Sequence, residues 1–329
     1  MEAGLRKATQ HWLCVVLCLT CAPSLHAAQE QPAKWPEKPV RIVVATAPGG
    51  GDDFVTRLLA PKLADLLRQQ FIVDNRAGAG GMIGQTLVAK AAPDGYTWLL
   101  AGGSMAGARY VNAAVTYDVL RDFTPVSLVE ISQFVMVVHP SVPARNAKEY
   151  IALARSQPGK MTFGTLGAGQ IPYWAAILFN NMAGVKAVEI AYKGFGEALS
   201  DVIAGRVDYY FAPSVTAVAY KARLRALAVT SLTRLPVFPE VPTMSEAALP
   251  GYDMPAWRSI MGPAGVRREV AAALSVAIAQ ALAMPDVREK MQSVGSEPQP
   301  SSPEELMKRY AEWIERFGKI AKEAGLKPQ

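Results

Sequence analysis

Short apolar runs alternate along this chain with stretches whose apolar positions recur every three or four residues. The runs at 40–46, 71–74, 97–101, 134–138, 161–165, 187–191, 207–211 and 224–229 read as strands. The periodic stretches at 53–69, 81–91, 146–156, 172–183, 195–204, 267–283 and 303–323 read as helices. Strands that alternate with helices predict an α/β fold with a largely parallel sheet. Pro61 lies inside the first helix and predicts a kink, because it removes one backbone hydrogen bond. Residues 141–146 look like a loop that ends on an Asn146 N-cap. The proline-rich stretch 235–263 has little periodicity and reads as an extended return path. No internal repeat is visible.

One junction in this pattern carries chemistry. The apolar run 40–44 leads into Ala45-Thr46-Ala47-Pro48-Gly49-Gly50-Gly51-Asp52-Asp53, and a helical pattern follows at once. A strand, a glycine-rich turn and a helix start together make an anion-binding device. The first N–H groups of a helix have no internal partner, and the helix dipole favours negative charge there. Glycines let a ligand approach the backbone closely. Asp53 has the chemistry of an N-cap. The plain alternative is a tight, capped strand-to-helix turn that binds nothing.

The ends and the composition narrow the picture. Arg6 and Lys7 precede an apolar stretch at 12–19 that is too short to span a bilayer, and Leu25-His26-Ala27 suits a signal peptidase. A cleaved secretory signal over 1–27 is predicted, with the mature chain starting at Ala28 or one residue later. Cys21 is poorly placed for a lipid anchor. Cys14, Cys18 and Cys21 all fall in that segment, as do His11 and His26, which leaves His139. The mature chain therefore offers no disulfide, no thiolate and no His/Cys zinc site; no metal and no cofactor is expected. A net charge of +6 with scattered basic residues does not suggest nucleic acid. A mature length of about 300 residues suits roughly two domains.

From Arg41 to Asp53, and on through Val73-Asp74-Asn75-Arg76-Ala77-Gly78-Ala79-Gly80-Gly81, the chain resembles the tripartite tricarboxylate transporter receptor family, also called the TctC or Bug family. Ala91-Ala92-Pro93-Asp94-Gly95-Tyr96-Thr97, Asp122-Phe123-Thr124-Pro125-Val126-Ser127-Leu128, Tyr192-Lys193-Gly194, Leu224-Arg225-Ala226-Leu227-Ala228-Val229-Thr230 and Pro239-Glu240-Val241-Pro242-Thr243 continue the resemblance in order across the mature chain. It implies a periplasmic solute-binding protein of the two-lobed Venus flytrap kind, type II-like, with two crossover strands. The first lobe would comprise 28–127 plus 258–329, and the second 128–257. Crossovers would fall near 128–138 and 254–261. The implied function is capture of a small organic acid and its delivery to the membrane permease subunits of a tripartite tricarboxylate-type transporter, by a monomer.

The resemblance also implies a site. A ligand carboxylate would lie between residues 46–53, with Thr46, Pro48, Gly49, Gly50 and Asp53, and residues 165–172, with Thr165, Gly169, Gln170 and Ile171. Strand-end loops add Ser104 and Met105, Ala212 and Ser214, and the segment around Lys193; Trp257 and Arg258 sit at the lobe junction. Lys193 reads equally well as a solvated lysine, and Asp208 as a turn-fixing residue. Five places depart from the family, one of them near Met105, where His is frequent. Thr46 stands where an aromatic is frequent, Asp52 where Ser or Thr is usual, and Gln170-Ile171-Pro172-Tyr173 replaces a hydroxyl-rich loop. Arg258 replaces an aromatic; it would grip a carboxylate, or else lie on the surface against Trp257. Asp52 would receive an amino group, or else be a solvated helix-start carboxylate. Together the departures lean towards an acid with an apolar or aromatic body.

Other readings are weaker. Gly102-Gly103-Ser104-Met105-Ala106 imitates a nucleophile elbow, but His139 would be the sole base available to a hydrolase. Residues 78–84 have one residue too many for a dinucleotide fingerprint. A flytrap that presents its closed form to a membrane signalling receptor is the remaining alternative to transport.

Overall fold

The computed structural model describes residues 35–329. The expected signal segment, its cleavage site and the three cysteines lie outside the described residues.

The strands are β1 (Val40–Val44), β2 (Phe71–Asn75), β3 (Thr97–Gly102), β4 (Phe123–Ser132), β5 (Phe134–Val138), β6 (Thr162–Thr165), β7 (Val188–Ala191), β8 (Tyr209–Pro213), β9 (Arg225–Val229), β10 (Ala256–Pro263) and β11 (Ser296–Pro298). The helices are α1 (Gly51–Leu67), α2 (Met82–Ala89), α3 (Ala147–Ser156), α4 (Ile171–Ala183), α5 (Phe195–Ile203), α6 (Ser214–Ala219), α7 (Met244–Ala247), α8 (Arg268–Ala283), α9 (Pro285–Gln292) and α10 (Pro303–Glu323). They build a two-lobed α/β fold. One sheet has the order β11-β4-β10-β3-β1-β2 and the other β7-β6-β8-β5-β9.

Neither sheet is largely parallel, contrary to the sequence reading. The strand–helix–strand units are parallel, as in β1 with β2 and β3, and β6 with β7 and β8. β10 instead runs antiparallel to β3 and β4, and β5 antiparallel to β8 and β9. These strands lie where the chain passes between sheets, so they enter each sheet from the opposite end. β4 and β5 are separated by Gln133 alone, and the chain returns through 230–255 into β10. Boundaries at 127/128 and 257/258 fall inside β4 and β10, both of which belong to the first sheet.

β4 and β10 are the strands that apolar periodicity missed. The end of the supposed return path is β10, whose eight residues are all buried. Its polar members have partners: the Ser259 hydroxyl lies 3.2 Å from the Tyr310 hydroxyl and 3.4 Å from the Ala101 carbonyl. The short elements α6, α7, α9 and β11 were also unmarked. α1 continues through Pro61. Asn146 caps α3, its side chain accepting the Glu149 N–H at 2.9 Å. Asp208 accepts hydrogen bonds from the Thr162 N–H and hydroxyl at 2.7 and 2.8 Å, tying β6 to the entry of β8.

α10 holds the back of the molecule. A Ser302/Glu305 capping box starts it, and its apolar face buries Leu306, Tyr310, Trp313 and Phe317. Tyr310 packs on Trp257 of β10 at 4.7 Å between ring centroids, and Phe317 on Trp174 of α4 at 4.5 Å. One helix thereby touches elements of both lobes.

Candidate functional site

A cavity of about 560 Å³ opens where loops from the two sheets face each other. From the first sheet come residues 45–47 and 50–52 after β1, residues 77–81 after β2, and Arg258 of β10. From the second come Phe134, Leu166, Gly167, Gln170 and Pro172, residues 191–195, Tyr210 and Pro213. Most of this lining is apolar or glycine backbone. The carboxyl ends of β1, β2, β6 and β7 thus surround the space, the usual ligand position for open α/β sheets.

Of the residues singled out from the sequence, Thr46, Gly50, Gln170 and Arg258 line this cavity. Ser104, Ile171 and Trp257 line an adjoining cleft of about 40 Å³ that shares Asp52, Phe134, Gln170, Pro172 and Arg258 with it. Pro48, Gly49, Asp53, Met105, Thr165, Gly169, Ala212 and Ser214 line neither. Met105 is buried and faces Tyr117 and Val119 on the far side of its 3₁₀ segment, Gly103–Tyr110. The Thr165 hydroxyl donates to Glu189 and accepts the Gly167 N–H at 3.1 Å, so it shapes the loop from beneath. Ala212 points into the core of the second lobe with Val135 and Ala217. Ser214 is buried and donates to the Gly295 carbonyl at 3.4 Å. A Cβ on Gly169 would face Val111 and Ala108 rather than the cavity.

Asp53 is not an N-cap. α1 begins at Gly51, with Gly50 as its N-cap, so Asp53 is the third helical residue. Its carboxylate accepts Arg57 Nε at 2.9 Å and the Gly49 N–H at 3.1 Å. Burial alone would raise this carboxyl, but those two bonds and Asn75 outweigh it and hold it below the ordinary range. The Gly49 donor is therefore already occupied.

Arg258 is neither a surface residue nor a free cation. It is 6% exposed. Its Nε donates to Asp52, and its Nη1 donates to Glu130 and, at 2.7 Å, to the Ser132 hydroxyl. Glu130 also accepts the Ser296 hydroxyl, and Asp52 accepts the Thr46 hydroxyl at 3.1 Å. Burial would lower the Arg258 guanidinium, but Asp52 and Glu130 outweigh it and raise it. Three departures noted in the sequence, Thr46, Asp52 and Arg258, are thus one connected network in the cavity wall. Gly51 makes room for it, since a Cβ there would sit 2.6 Å from Arg258 Nη2.

Charge is therefore uneven around the cavity. The first turn of α1 already contains Asp52 and Asp53. The first turn of α4 contains no acidic residue and no side-chain cap, and the loop before it, residues 166–170, turns through positive φ at Gly167 (95°) and Gly169 (98°). Lys193, exposed and on the same lobe, is the lining cation with no ion-pair partner among the described residues. The two lobes touch beside this space. Gln170 Nε2 donates to the Gly80 carbonyl at 2.6 Å, and a Cβ on Gly80 would overlap the Ala168 carbonyl.

Sequence reasoning left out residues 77–81, Phe134 and Tyr210. The first had a signal, because a glycine-rich loop follows β2 at its carboxyl end. Phe134 and Tyr210 lie within apolar strands and had none. His139 bonds Ser141 at 2.7 Å in a loop and lines neither the cavity nor the Ser104 cleft.

Residues 55–326 match the family model described as "Tripartite tricarboxylate transporter family receptor". A protein from the tcbD-tcbE intergenic region of Pseudomonas sp. (strain P51) is 38% identical over 290 residues, covering 87% of this chain and 86% of that one. Protein BugT of Bordetella pertussis is 33% identical, covering 96% and 98%. Among solved structures, an adipate-bound R. palustris protein superposes with a TM-score of 0.86 at 32% identity, covering 90% of this chain and all (100%) of that one. MatC of Rhodopseudomonas palustris, with bound malate, gives a TM-score of 0.83 at 31% identity, covering 87% and 99%.

Proposed function

Because the chain belongs to the tripartite tricarboxylate transporter receptor family, we propose that this periplasmic-type solute-binding protein captures a small organic acid in the cavity between its lobes and hands it to a membrane permease. The observation that carries the reading is the start of α4: a glycine-rich loop, an uncapped helix N-terminus without acidic residues, and Lys193 on the same lobe, all facing one cavity. Backbone N–H groups of Ala168, Gly169 and Ile171 would hold the carboxylate with charge-assisted hydrogen bonds, since the Gly167 N–H is taken by Thr165, the Gln170 N–H by the Gly167 carbonyl, and Pro172 has none. Adipate and malate in the two similar structures support a carboxylate as the ligand class. The apolar lining, with Phe134, Phe195 and Tyr210, suits an apolar or aromatic body.

Closure would bring the 167–170 loop onto the 79–81 turn, as in the Gln170–Gly80 contact, and exclude water from the anion. The lobes would move about Gln133 and the 230–255 connection. Export through a signal over 1–27, a monomeric state and binding without catalysis complete the reading.

The test is a thermal-shift screen of organic acids, each paired with its methyl ester. A ligand that binds the folded state raises the melting temperature by mass action. An acid that stabilises while its ester does not supports the proposal. Equal stabilisation by acid and ester, or none by any acid, refutes it.

A further inference from the structure

We infer that this cavity takes a monocarboxylate whose other end carries a hydrogen-bond donor without negative charge, a hydroxyl or an ammonium, and that Asp52 rejects a second carboxylate. The inference rests on the carboxylate reading above and specifies the ligand class within it.

Fixed charge sets this preference. Asp52 lines the cavity and its side chain retains 22% exposure. The nearest cation, Arg258, is shared between Asp52 and the buried Glu130, so two carboxylates meet one guanidinium. A ligand carboxylate on this wall would be a third anion around a single cation. The helix dipole does not remedy this, because the first turn of α1 already faces Asp52 and Asp53. The opposite wall has the reverse balance: Lys193 and the α4 start, which has no acidic residue in its first turn. An acid therefore has one favourable end for its carboxylate and one unfavourable end.

The unfavourable end still offers hydrogen bonds. Among the described residues Asp52 Oδ2 accepts only the Thr46 hydroxyl, which leaves lone-pair capacity for a ligand donor. Arg258 Nη2 has no hydrogen-bond partner among the described residues, and it lies against Gly51, itself part of the lining. A hydroxyl satisfies both, donating to Asp52 and accepting from Nη2. An ammonium satisfies Asp52 and offsets the excess negative charge. A carboxylate has no proton for Asp52 and adds to that excess, and like charges brought together in this way cost several kcal/mol.

The experiment is titration calorimetry on the mature protein with matched sets from four to eight carbons: the ω-amino acid, the ω-hydroxy acid and the α,ω-dicarboxylate. At the best chain length, the amino or hydroxy acid should bind at least about tenfold tighter than the dicarboxylate. Asp52→Asn should narrow or invert that ratio, with the dicarboxylate gaining about tenfold. A dicarboxylate that binds the unaltered protein tighter than both partners overturns the inference, whether or not the variant folds. So does an unchanged ratio in a folded Asp52→Asn protein. If none of these acids binds, the inference fails, while the carboxylate reading is decided separately by the acid-against-ester screen.

Discussion

At the scale of single residues, the wall of the cavity is held by a buried ion pair with an extra carboxylate. Removing Arg258 leaves Asp52 and Glu130 facing each other without a counter-charge, and breaking a buried pair from one side typically costs about 3–5 kcal/mol. Arg258→Ala should therefore lower the free energy of unfolding, measured by urea titration, by an amount in that range; a change below about 1 kcal/mol would show that solvent replaces the guanidinium freely. Asp53 supplies a pH signature. Its folded carboxyl lies below its unfolded value, so its contribution is present above the ordinary carboxylate range and is lost as pH falls through the depressed value. Asp53→Asn should cost about 1–2 kcal/mol at pH 7 and progressively less as pH falls below the ordinary carboxylate range, read from urea unfolding along a pH series. Each of these residues was legible in the sequence as chemistry, but the partnership of Asp52 and Arg258 was not. They lie 206 positions apart, and no periodicity connects a helix start to a strand on the other side of the sheet.

At the scale of elements, the amphipathic helices and the strands of the strand–helix–strand units were visible because burial on one face imposes a period. β4 and β10 were not. β4 contains Pro125, Ser127, Glu130 and Ser132, and β10 contains Arg258 and Ser259, so both read as polar. They are central strands whose polar side chains satisfy one another or α10, a compensation that exists in three dimensions alone. The same limit applies to the site. The glycine-rich loops were legible, whereas the pairing of the 79–81 turn with the 167–170 loop was not. That contact makes a test. Gly80 has a φ of 64°, and a Cβ there would meet the Ala168 carbonyl. Gly80→Ala should hold the lobes apart, weakening acid binding at least about tenfold while shifting the melting temperature of the unliganded protein little. Small-angle scattering with saturating acid should show a larger radius of gyration than the parent. An unchanged radius and affinity would mean that the turn is not part of closure.

At the scale of the molecule, the two lobes share a strap. α10 belongs in sequence to the first lobe, yet Phe317 stacks on Trp174 of α4, and Arg316 bonds Asp253 in the return connection, at 3.2 Å to its carboxylate. Phe317 is fully buried, so Phe317→Ala should destabilise by about 3–5 kcal/mol through the cavity it leaves, which urea unfolding would report. A single unfolding transition would indicate that the strap couples the lobes, and two transitions that it does not. This position of α4 also sets where the anion should lie. Its N-terminus faces the cavity while its body packs against α10, so the donors at Ala168, Gly169 and Ile171 are presented by a supported helix. The most direct test of the account is a crystal structure of the protein with an acid found by the thermal-shift screen. The carboxylate should lie inside the 560 Å³ cavity, its oxygens within hydrogen-bond distance of the backbone N–H groups of Ala168, Gly169 or Ile171. An acid bound outside that cavity, or held with its carboxylate away from the α4 start, would contradict it.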